Sequence, residues 1–135
     1  MFNFLKTKNQ KIADTISDIF KPCFFRLVQS GSYTIKDIKN DDFLMGYMTG
    51  SISIAARLQG ISGENSGLII ALFYENLFQS NYEDRLDLLK LIMHKSNTSE
   101  TYNSSFKLGG KEFQLMTNGT DELPTLQKYI RGICI

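Results

Sequence analysis

Residues 42–60 read Asp42-Phe-Leu-Met-Gly-Tyr-Met-Thr-Gly-Ser-Ile-Ser-Ile-Ala-Ala-Arg-Leu-Gln-Gly60, and between Asp42 and Arg57 no side chain is charged. In a chain that is 21% charged, such a run marks a segment that water does not reach, so it predicts a central helix contacted on several sides. Asn40 or Asp41 would cap its start, where Asp41 and Asp42 also meet the positive end of the helix dipole, and Gly60 would close it as a C′ residue. Gly46 and Gly50 each cost a helix about 1 kcal/mol relative to alanine. Their spacing predicts that another helix approaches this face closely.

After this stretch, Ser62-Gly-Glu64 restarts the chain and Leu68 to Tyr74 is apolar almost all round. This predicts a second central helix at about 63–79 beside the first at about 42–59. Upstream, Ile12, Ile16, Ile19, Phe20, Cys23, Phe24, Leu27 and Val28 form an amphipathic stripe. Pro22 means that this helix either kinks there or gives way to a second one. Tyr33 to Lys39 has too few apolar residues to define a face and reads as a polar connector. Downstream, Asn81 would cap a helix with Tyr82, Leu86, Leu89 and Met93 on its apolar face and Glu83, Asp87, Lys90 and His94 on the other. Ser99 would cap the next, which carries Tyr102, Phe106, Gly109, Phe113 and Met116 to about Asn118-Gly119, in spite of Gly109-Gly110. A last short helix follows from Asp121-Glu-Leu-Pro124 to Arg131. Nothing alternates with period two, so strands are not expected. The prediction is all-α: one domain, residues 1–135, as a bundle of five or six helices around the two central ones.

Composition narrows function mostly by exclusion. The 135 residues, with ten Phe and six Tyr, suffice for one core without a disulfide or a metal. The net charge of +1, from 15 basic and 14 acidic side chains, argues against a nucleic-acid or acidic-membrane surface. The longest uncharged run is shorter than the roughly 20 residues of a membrane span, and Met1–Lys8 has the wrong order for a signal peptide. Together with the widely separated Cys23 and Cys134, this leads to the expectation of a soluble cytoplasmic protein with reduced thiols.

No nucleophile elbow, Walker loop, zinc-protease motif or Rossmann turn is present. The glycine-rich Gly60–Gly67 follows a helix rather than a strand and reads as an inter-helix turn. His94, the single histidine, sits on a polar helical face near a C-terminus, where a solvated residue belongs. The acidic pairs Asp41/Asp42 and Glu83/Asp84 lie at helix starts and suit capping. Arg57 and Glu75 are charges set into apolar helices, which predicts a buried ion pair between them. No catalytic residue, metal ligand or cofactor is expected.

What remains is a non-enzymatic protein that binds another protein or a second copy of itself, as in a homodimer. Its candidate interface is the apolar side chains at the chain ends: Phe2, Phe4, Leu5, Ile133 and Ile135. The alternatives are a carrier or sensor holding an apolar ligand between the central helices, and an immunity or antidote protein that neutralises a toxin.

Overall fold

Seven α-helices and no strand make up the described residues of the computed structural model, which are 7–29, 31, 33–119 and 123–133. In chain order the helices are Lys8–Gln29 (α1), Ile35–Asn40 (α2), Asp42–Leu58 (α3), Glu64–Phe78 (α4), Arg85–Thr98 (α5), Glu100–Thr117 (α6) and Pro124–Ile133 (α7). The all-α bundle matches the periodicity, with one helix more than expected. The addition is α2, where a polar connector was predicted. A reciprocal capping box starts it: the Thr34 hydroxyl accepts from the Asp37 N–H at 3.1 Å, and the Asp37 carboxylate accepts from the Thr34 N–H at 2.9 Å. Local capping therefore makes this helix, and Ile38 is its one buried side chain.

The uncharged stretch is α3. The Asp41 carboxylate caps it by accepting from the Leu44 N–H at 3.0 Å, and also accepts from the hydroxyls of Tyr33 at 2.8 Å and Tyr129 at 2.9 Å. Burial first, then the bond to Asp41, pushes the Tyr33 hydroxyl up to about 12. Every residue from Leu44 through Ile52 is buried. The helix closes in a Schellman turn: with Gly60 at φ +76°, its N–H reaches the Arg57 carbonyl at 2.9 Å and the Ile61 N–H reaches that of Ala56 at 3.0 Å.

One side of α3 lies backbone-to-backbone on α6. A Cβ at Gly50 would fall 2.0 Å from the Phe106 carbonyl oxygen, and one at Gly109 would fall 2.1 Å from that of Tyr47. The Ser51 hydroxyl donates across the contact to the Gly109 carbonyl at 3.1 Å. The close neighbour that Gly46 and Gly50 call for is thus α6. Gly109-Gly110, which resembles a break in α6, is the other half of the same contact.

Away from α6, α3 packs on α4 and α1. Edge-to-face rings join α1 to α4, with Phe20 and Phe73 at 5.6 Å between centroids. α1 runs through Pro22 as one helix. No helix of the described residues is long and apolar enough to cross a membrane.

Candidate interaction surface

Two ion pairs, one near each end of α5, hold that helix against the bundle. At its start, Arg85 grips Glu75 of α4 with two parallel bonds, Nε to Oε2 at 2.7 Å and Nη2 to Oε1 at 3.0 Å. This corrects the expected Arg57–Glu75 pair. Arg57 lies exposed in the last turn of α3, a favourable place for a cation at a helix C-terminus. Arg85 instead follows Glu75 by ten residues, across the tight corner between α4 and α5.

Near the other end Lys95, only 7% exposed, donates to the Asp42 carboxylate at the start of α3. The Ser99 hydroxyl donates to the same carboxylate at 2.7 Å. These two bonds, that from Lys95 first, hold the Asp42 carboxyl below the usual carboxylate range. A depressed carboxyl stabilises the fold above its unfolded-state value of about 4, and that contribution is lost as pH falls through the folded-state value. Asp42→Asn should therefore flatten the acid limb of the curve of melting temperature against pH. A limb unchanged from wild type would contradict this role.

The two anchors fix the rotation of α5. Arg85, Leu88 and Lys95 share one side of the helix at 100° per residue, and Leu88 is buried there, 6% exposed. Leu86 and Met93 then turn outward, 62% and 65% exposed, with Leu89 half-buried at their edge. The sequence makes Leu86, Leu89 and Met93 the apolar face that a bundle helix would bury, and the structure reverses this for Leu86 and Met93. Residues 86–93 hold six apolar side chains out of eight, enough for two stripes, and the ion pairs select the one containing Leu88.

Of the candidate interface at the chain ends, Ile133 is half-buried against the core, while Phe2, Phe4, Leu5 and Ile135 lie outside the described residues. His94 is exposed. A 3-10 turn at Tyr82–Asp84 takes the place of a cap at Asn81. Among the described residues no three His, Cys, Asp or Glu side chains gather as a metal site.

A buried carboxylate that the sequence pattern does not single out is Glu112 of α6, 9% exposed. It accepts from the Tyr47 hydroxyl at 2.6 Å, from the Thr125 N–H at 3.1 Å and from the Thr125 hydroxyl. Glu112 thus serves as the N-terminal cap of α7, supplied from another helix. Burial, and next the bond to Glu112, raises the Tyr47 hydroxyl well above its ordinary range, so it stays a donor.

An open groove of about 380 Å³ runs between α1, α3 and α6, lined by Ile12, Ile19, Leu58, Phe113 and Met116 among others. The chain matches no family model, no curated protein and no solved structure.

Proposed function

We propose that this protein works by binding another protein through the outer side of α5, without catalysing a reaction. The observation that carries this reading is the outward stripe of Leu86, Leu89 and Met93. Single exposed apolar residues are ordinary. Two of them, Leu86 and Met93, with the half-buried Leu89 between them at helical-turn spacing, on a helix whose opposite face is already packed, form the pattern of anchors by which a helix meets a partner. Burying one such side chain is worth about 1.5–3 kcal/mol, so covering this row contributes appreciably to binding.

The carrier alternative asks for a cavity of a few hundred Å³ between α3 and α4. It draws little support there, because Phe73 and Tyr74 of α4 are fully buried, and the Tyr74 hydroxyl is bonded directly to α3, at 2.7 Å from the Thr49 hydroxyl and 3.1 Å from the Met45 carbonyl.

The test is the double variant Leu86→Glu with Met93→Glu, compared with wild type as bait under identical conditions. It should keep the helical circular-dichroism spectrum and a stability within about 0.5 kcal/mol of wild type, as a surface change does, and lose the captured partner. A large fall in melting temperature would show that the stripe belongs to the protein's own core.

A further inference from the structure

We infer that the protein covering α5 is a second copy of this chain, docked antiparallel on the same helix; this rests on the outer side of α5 being the contact surface. At 100° per residue the solvent side of the helix has two edges. One carries Leu86, Leu89 and Met93. The other carries Asp87, Lys90 and His94, all exposed, with Glu83 exposed in the turn before it. The two further cations of the segment, Arg85 and Lys95, are turned inward to Glu75 and Asp42. The charged edge therefore changes character along its length, acidic at Glu83 and Asp87 and cationic at Lys90, with the imidazole of His94 beyond it.

A two-fold axis that lies between two such helices and crosses them at right angles lays each edge on its own counterpart, running the opposite way. The axis that sets Asp87 opposite Lys90 of the second copy also sets Glu83 opposite His94. Setting Leu86 opposite Met93 centres the axis between residues 89 and 90, and setting Leu89 opposite its equivalent centres it on residue 89, each within one residue of the charge centre between 88 and 89. The apolar register and the charge register thus centre within one residue of each other, near residue 89. Self-pairing requires that coincidence, whereas an unrelated partner does not. A parallel two-fold arrangement would instead lay the charged edge of each helix on the apolar edge of the other and bury charges without partners, which is unfavourable. With three apolar side chains per copy on a helix of 14 residues, the contact belongs at the small end of specific interfaces, below about 1,200 Å² in total. The dimer is accordingly reversible and concentration-dependent.

Sedimentation velocity on the full chain over a hundredfold concentration range tests this. The wild-type weight-average mass should rise from that of one chain toward that of two. Asp87→Lys alone and Lys90→Glu alone each place like charges across the axis, and each should weaken the dimer about tenfold. An equimolar mixture of these two variants restores opposite charges at both contacts and should associate at least as tightly as wild type. A wild type that stays monomeric throughout would overturn the inference, as would a mixture no tighter than either variant alone. In the first case, continued capture of another protein that Leu86→Glu with Met93→Glu abolishes would leave the contact-surface reading standing. Loss of neither association nor capture in that double variant would remove the contact-surface reading itself.

Discussion

Gly50→Ala should destabilise the protein by about 2–3 kcal/mol, although alanine is the better helix former by about 1 kcal/mol. The added methyl would sit 2.0 Å from the Phe106 carbonyl oxygen and 2.7 Å from its carbon. Both are backbone atoms, so no rotamer change relieves the clash and the two helices must separate. Separation also strains the Ser51 bond to Gly109 and the matching contact of Gly109 on Tyr47. For a domain of this size the melting temperature should fall by on the order of 10 °C, and Gly50→Leu should cost more. Gly67 in α4 is the control, because a Cβ there meets nothing within 4 Å. Gly67→Ala should raise stability by about 0.5 kcal/mol. A rise for Gly50→Ala as well would refute the backbone contact between α3 and α6.

Glu112→Ala has an expected effect of similar size, about 3 kcal/mol. Removing the carboxylate leaves the Tyr47 hydroxyl, at 0% exposure, without its acceptor. The Thr125 N–H and hydroxyl lose theirs at the same time. Unsatisfied buried donors cost about 1–3 kcal/mol each, and the half-buried Thr125 recovers part of its share from water. Because the carboxylate caps α7 from outside that helix, amide exchange in residues 124–133 should accelerate more than exchange in α3 or α4. Glu112→Gln keeps an oxygen for Tyr47 and should recover most of the loss. Equal loss in both variants would mean that the charge matters more than the hydrogen bonds.

What the sequence makes legible is what burial alone decides. The uncharged run marks α3, the glycines at 46 and 50 announce a close neighbour, and Ser99 marks the start of α6, where its hydroxyl accepts from the Tyr102 N–H at 3.0 Å. Features decided by partners distant in sequence are not legible. Lys95 looks like any surface lysine until Asp42, 53 residues away, is placed beside it. Glu112 likewise looks like part of a solvated row until α7 returns over it. The rotation of α5 is the instructive case. Leu86, Leu89 and Met93 fit a buried face as well as Leu88 and Ile92 do, and only the pairing of Arg85 and Lys95 decides between them. A faint signal was available: those two cations are ten residues apart, close to three helical turns, and so share a side.

On the proposed reading, the outer stripe of α5 is where this chain meets another protein. The most direct measurement is site-specific photo-crosslinking in the cells that make it, with a photoreactive amino acid in place of Met93 and, separately, in place of the exposed Lys111 of α6. Position 93 should give one discrete adduct, its mass that of two chains if the contact is with a second copy, and position 111 should give none. No adduct from position 93, or the same adducts from both positions, would contradict a contact through this stripe.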